Sequence, residues 1–575
     1  MTTSAARRLA LLAIVFVGIA WVGLIQTPGA NQNAHLALVT AFAHGTPRID
    51  PYRNWSSDVS YVDGHYYTAK APGLALVTLP WYLGLEAAGL RIKGTPSAIS
   101  WPTAQFDMPT TAIWEVGVFG ATLPAVVLLL LVLFVAGRLI PGYGMAAVLT
   151  VGTASLLAIL ATMFFAHALS ACIGFAVFAV LFHERRGPPR LGLVAAAGVL
   201  AGLGAVVEFP LAIVALVCGV YGLLRTDRVR RAAAYAGGFV VGIVPLLAFN
   251  AWAFGSPTEL AYTNVIIQRG ANGHEVLGAN ASGFFGLGAP SLRAGAELLF
   301  AGHGLLVLSP VLALATVGFV ALWRSGSRAE AAALGAIAGL FLLYDASYYT
   351  PYGGFPAGPR FLVPSIPFLA MGVAAAWRAF TGLTVTLFLA SLVVTTVALI
   401  GKPLGSSETA GAWFHRVEHG DVTRTVLHWL SASHPVVEMI PIVLLLVAAV
   451  AIGFLLTPRF HIDARVAGVA IAALAAWRVV YVGAPTMLIV DTQTRGWAGL
   501  AGVVGLAVAV PLAFVVARRR PLATLPALLL LPIAWPRFAA HTGIAFATTM
   551  VALAGIALIA QLPSGYPPRW RTIGW

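Results

Sequence analysis

Charge is what this chain lacks. Only 9% of its 575 residues are charged, against about a quarter in soluble domains, which excludes a water-soluble globular fold. Carboxylates are scarcest, with 20 Asp and Glu against 34 Lys and Arg and a net charge of +14. Such an excess suits nucleic acid only where it gathers on a soluble domain. Here the arginines stand in short clusters between apolar runs, so no nucleic-acid partner is expected. There are just two cysteines, Cys172 and Cys218. Both lie in apolar runs and read as small hydrophobes, not as a disulfide framework. An internal repeat and a low-complexity tail are also missing. No matching halves with broken helices stand out, as they would in an inverted-repeat transporter.

What is present is apolar sequence, 59% of the chain, with a mean hydropathy of +0.89. Runs of about 20 apolar residues predict helical spans, not a barrel. They fall near 8–26, 111–137, 144–163, 168–183, 191–206, 209–224, 232–254, 303–323, 329–346, 361–377, 380–401, 437–457, 466–484, 497–517, 521–536 and 542–560. The first has a basic flank but is too long for a cleaved leader, so it reads as an uncleaved span. With the N-terminus inside, the N-terminus, the tail and the inner connections such as "HERRGPPR" and "RTDRVRR" together carry 20 of the 34 basic residues but four of the 20 acids. That asymmetry sets the orientation in a plasma (inner) membrane. It also keeps the apolar run 72–90 outside as an interfacial or re-entrant helix, since a span there would invert every later loop. Residues 27–110 become one long first outer loop. Further outer segments fall at 255–302, 347–360, 402–436 and 485–496, and long loops on one side mark the working face.

Polar chemistry concentrates in that first loop. "NQNAHLALVTAFAHG", residues 31–45, predicts an amphipathic helix whose apolar face suits the membrane surface. "DVSYVDGHYYTAKAPG", residues 58–73, then brings Asp58, Asp63, His65, Tyr66 and Lys70 together, with Asp50 just before. Asp63-Gly64 is a turn signal. Interfacial aromatics and lysines often only anchor a loop; an Asp, a Lys and a Pro-Gly break together suggest a site. The pattern "D…GHYY…KAPG" after a first span resembles the C-type (GT-C) membrane glycosyltransferases, including aminoarabinose transferases and protein O-mannosyltransferases. "SYYTPYGGFPAGPRFLVPSIPFL", residues 347–369, resembles the same class. The likeness covers mainly residues 1–250 and 296–380.

The resemblance implies an all-α polytopic membrane protein with a GT-C fold and about 16 transmembrane helices, its long first outer loop carrying interfacial helices. Residues 1–400 would form the catalytic module and 401–575 further helices of no assigned role. It implies sugar transfer from a polyprenyl-phosphate donor to an envelope glycan, lipid or protein on the extracytoplasmic face. Lys70 and Arg360 would hold the donor phosphate. The superfamily's Asp-Glu pair after the first span is replaced here by Asn31, Gln32 and Asn33, and amides accept no proton. Asp58 is therefore the favoured base, with Asp50 next, while His35, His65, Tyr66, His167 and Glu208 line the pocket. Arg478, inside a span, needs a partner or a wet crevice. The histidines and acids show no known ligand spacing, so no metal ligands are assigned and a divalent cation stays open. Two other readings remain: an oligosaccharide ligase using a pyrophosphate carrier, and a polytopic lipid or solute transporter.

Overall fold

A computed structural model describes residues 3–89, 110–269, 274–277, 286–300, 303–353, 357–404, 410–429 and 434–458. The four expected spans beyond residue 460, and Arg478, lie outside the described residues. The chain opens with α1 (Thr3–Val22), a two-residue strand β1 (Leu24–Ile25) and α2 (Ala30–Ala43). A hairpin of β2 (Val59–Val62) and β3 (His65–Thr68) leads into α3 (Gly73–Ala87). Next come α4 (Thr110–Gly117), a π-helical turn, α5 (Leu123–Leu139), α6 (Gly144–Thr153), α7 (Leu156–Leu160) and α8 (Ala166–Arg186). They are followed by α9 (Leu191–Val207), α10 (Ala212–Gly222), α11 (Arg228–Phe254) and a hairpin of β4 (Ile266–Arg269) and β5 (His274–Leu277). The next described helices are α12 (Leu292–Phe300), α13 (Leu305–Leu308), α14 (Ala315–Arg324), α15 (Arg328–Ser347), α16 (Ile366–Ala379) and α17 (Thr381–Ile400). Last come α18 (Ala410–Glu418), β6 (Arg424–Thr425) and α19 (Pro435–Leu456).

Seven of the described helices are long and apolar enough to cross a membrane, so this is a multi-pass helical membrane protein. The first twelve expected spans each coincide with a helix or helix pair. Several are broken. The run 144–163 divides at Ser155, which is extended and turns its hydroxyl back to the Val151 carbonyl at 2.9 Å, competing with the helix ladder. Pro310 and Pro364 likewise lie in 3-10 turns that precede α14 and α16.

Helix packing relies on small residues where backbones meet. Gly198 and Gly202 of α9 face Gly238 and Gly242 of α11, and a Cβ at any of them would strike a carbonyl across the interface. Two small residues four apart on each helix let the axes approach where lipid offers no hydrophobic drive. The helix at 360–379 is the most enclosed, with 89% of its span buried, whereas α11 shows 22% and so lies at the periphery. The start of the chain is tied to its later part by β1 pairing with β6 and by α1 packing on α19.

The first loop builds its own core from Leu36, Val39, Ile49, Trp55, Leu74 and Tyr82, which continues onto Phe164 and Phe249. This corrects one expectation: α2 does not lie with one face on the membrane surface. Asn31 through Phe42 are all buried, because α3, the 50–55 turn, β3 and α4 cover the helix. In α3 the apolar side chains Leu76, Val77, Trp81 and Leu83 remain exposed, so an outward apolar face belongs to this helix.

Candidate active site

The β2–β3 hairpin gathers the first part of the site. Asp63 and Gly64 take positive φ of 47° and 85°, making the two-residue turn. The register pairs Val59 with Thr68, and the Ala69 N–H donates to the Asp58 carbonyl at 3.2 Å. Asp58 and Lys70, twelve residues apart, therefore meet at the open end of the hairpin, where Lys70 Nζ lies 2.9 Å from Asp58 Oδ2. Both are partly enclosed, at 31% and 18% side-chain exposure. The Ser56 hydroxyl accepts from the Asp58 N–H at 2.9 Å and donates to the Ala30 carbonyl at 2.6 Å, fastening Asp58 to the start of α2.

The Pro-Gly break after Lys70 is a packing device. A Cβ on Gly73 would stand 2.7 Å from the Val206 carbonyl and the Val207 Cα, so only glycine lets α3 begin against the end of α9. That end carries Glu208, extended before Phe209-Pro210. Its Oε1 lies 2.5 Å from His167 Nδ1 in the first turn of α8. The His167 ring stacks on Phe165 and meets Phe361 edge-on. Arg360 completes the group. Its guanidinium lies over Phe165 and Phe361 at 5.6 and 5.2 Å, it is 8% exposed, and its Nε has no partner among the described residues. Gly353, at φ 68°, leaves room for it, since a Cβ there would come 2.6 Å from Nε. Gly353 is thus read as clearance for an arginine.

These groups act on one another. Burial pulls the Lys70 ammonium below its ordinary value, opposed by Asp58 and Glu208 and aided by Arg360. Burial alone would raise the Asp58 carboxyl, but Lys70 and Arg360 outweigh it and hold the group below its ordinary 3.8. His35 falls to about 3 through burial, then the charge of Lys70. At neutral pH the cluster therefore presents an ionised carboxylate and a neutral imidazole between two cations.

Of the expected residues, Asp58, Lys70, Arg360, His35, His167 and Glu208 come together. Asp50, His65 and Tyr66 form a separate set: Asp50 Oδ1 accepts the Tyr66 N–H at 2.7 Å and Oδ2 lies 3.0 Å from His65 Nδ1. At 37% exposure for both side chains, that pair braces the outside of the hairpin. The sequence reading assigned no role to three residues with buried side-chain atoms that lack partners among the described residues: Asn33, His303 and Asp345. The signal was present for Asp345, an acid inside the apolar run "GLFLLYDASYY". Cys172 and Cys218 are free and buried. Among the described residues no group of three His, Cys, Asp or Glu gathers to hold a metal ion.

No family model and no curated protein matches the chain. Among solved structures it is similar to ArnT from Cupriavidus metallidurans in the apo state, with 14% identity and a TM-score of 0.46 over 97% of this chain and 77% of that one. The same protein bound to undecaprenyl phosphate gives 13%, 0.43, 97% and 77%. The Archaeoglobus fulgidus oligosaccharyltransferase in the apo form gives 13% and 0.38 over 83% of this chain and 60% of that one. Both proteins are of the GT-C class that the motifs resemble. At TM-scores below 0.5, no site residue is carried across.

Proposed function

We propose that this protein is a membrane glycosyltransferase that moves a sugar from a polyprenyl-phosphate donor to an envelope glycan, lipid or protein, at the extracytoplasmic face and with inversion. One observation carries the reading: an ionised Asp58 paired with Lys70 at 2.9 Å, within electrostatic reach of Arg360, whose buried Nε has no partner among the described residues. Buried polar groups are normally satisfied, so an unsatisfied guanidinium nitrogen is suited to a polar ligand.

The chemistry follows from these side chains. An acceptor hydroxyl oxygen attacks the anomeric carbon as its proton passes to Asp58, while the bond from that carbon to the phosphate oxygen breaks. The electron pair leaves with polyprenyl phosphate, whose charge Lys70 and Arg360 hold. A positioned base is worth about 10²–10⁴-fold in rate, and a charge-stabilising donor about 10²–10³. Lys70 stands between the two tasks: it pairs with Asp58 before the donor arrives and shares its charge with the phosphate afterwards. No step is routed through a metal ion.

The test separates binding from transfer with purified protein and polyprenyl-phosphate sugars. Asp58→Asn should still bind donor while transfer falls about 10²-fold or more. Lys70→Ala and Arg360→Ala should weaken donor use about ten- to hundredfold, by loss of charged hydrogen bonds of about 1.5–3 kcal/mol. Use of a pyrophosphate-linked donor alone would favour the ligase reading. Full transfer activity in Asp58→Asn would remove the base assignment.

A further inference from the structure

Asp345 lies in the last turn of α15, fully buried, and neither carboxylate oxygen has a hydrogen-bond partner among the described residues. The position is unfavourable in two ways. A buried, unpaired carboxyl group loses its hydration, and if ionised it would also oppose the macrodipole at a helix C-terminus. Packing alone would be served better by an apolar residue of similar volume.

Its surroundings are those of a binding wall. Arg360 and Tyr352 lie within electrostatic reach. The Tyr352 hydroxyl donates to the Glu297 carbonyl at 2.6 Å, which fixes its ring. That ring meets His303 at 4.3 Å between centroids, and His303 Nδ1 is buried without a partner among the described residues. The His303 carbonyl stands 3.2 Å from where a Cβ on Gly358 would be, so the wall runs on into the segment that carries Arg360. Two free carboxylate oxygens, a free ring nitrogen and fixed aromatic faces match a sugar, which offers adjacent hydroxyls and an apolar C–H face.

We infer that Asp345 and His303 form a subsite for the donor's sugar hydroxyls, next to the phosphate held by Lys70 and Arg360; this rests on the glycosyltransferase reading. Asp345 recognises and does not react, and Asp58 keeps the proton transfer. The deciding experiment titrates detergent-solubilised protein with polyprenyl phosphate alone, a polyprenyl-phosphate hexose and a polyprenyl-phosphate pentose. Wild-type protein should bind one sugar-bearing probe at least tenfold more tightly than the bare one. Asp345→Leu should lose that preference yet bind the bare probe within about twofold, and its thermal unfolding should occur at or above the wild-type temperature. If Leu disrupts the fold, Asp345→Asn decides in its place, with a reduced preference supporting the subsite. A variant that keeps the full preference, or a wild type that binds all three probes equally, overturns the subsite alone. A wild type that binds none of them overturns the glycosyltransferase reading and the subsite with it.

Discussion

Asp58 and Lys70 set each other's protonation across 2.9 Å. Lys70 and Arg360 keep the Asp58 carboxyl low against the pull of burial. In Lys70→Met, burial meets less opposition and the carboxyl rises. At saturating donor, the acid limb of the transfer–pH profile should therefore move to higher pH; an unmoved limb would detach Asp58 from that limb. His35 gives a second, independent pH effect. Folded protein keeps this ring neutral down to about 3, while the unfolded chain takes up a proton near 6.5. The unfolded state binds more protons between those values, so stability falls as pH drops from about 6.5 toward 3. In His35→Gln, thermal unfolding in detergent should shift less between pH 7 and pH 4 than in wild type. Equal shifts would mean that His35 is not buried neutral.

Elements are joined at the opposite end of the bundle by a buried ion pair. Glu184, near the end of α8, takes both Arg231 Nη atoms of α11 at 2.7 and 2.8 Å, and Arg225 approaches it at 3.4 Å. The Glu184 side chain has no exposure and that of Arg231 has 3%. Removing one partner strands a buried charge and costs about 3–5 kcal/mol, whereas replacing both with apolar residues is often neutral. Arg231→Leu should therefore destabilise the protein strongly, and Glu184→Leu with Arg231→Leu much less, as read by thermal unfolding. Equal losses in the two proteins would show that packing, and not charge, holds these helices. The bond also explains why an acid sits among the arginines of "HERRGPPR". This carboxylate serves the fold, whereas Glu208, at the end of α9, lies against His167.

At the scale of the whole molecule, the charge asymmetry predicts that the arginine-rich connections and the first loop lie on opposite sides of the membrane. Cysteines at the exposed positions Pro188 and Thr226 should resist an impermeant label in intact cells, and one at the exposed Asn54 should react. The reverse pattern would turn the molecule over and put Asp58 inside. A surface recess lined by residues 224–230 lies at the basic end, about 30 Å from His167 by the length of α8, and shares no side chain with the site.

Part of the site was legible because its causes are local. Asp63-Gly64 makes a turn by its own backbone preference, and the hairpin then brings Asp58 to Lys70 at a separation the ladder fixes. Helix positions were readable for the same reason, since a run of about 20 apolar residues has one solution in lipid. The sidedness of the arginines is likewise written in their spacing. Burial from all directions is not local. Nothing in "NQNAHLALVTAFA" announces that α3, the 50–55 turn and α4 close over the helix and leave the Asn33 side chain without a partner among the described residues. Nor does the sequence tell Glu208, against His167, from Glu184, against Arg231. Both are acids at the end of an apolar helix, and only the packing of the bundle decides which carboxylate is neutralised by a structural arginine and which faces the site. The sequence by itself determined the helices, their order and the charge on each connection. Tertiary structure alone decided which polar groups are satisfied within the protein and which are not, because satisfaction depends on neighbours far along the chain, as Glu184 and Arg231 are 47 residues apart.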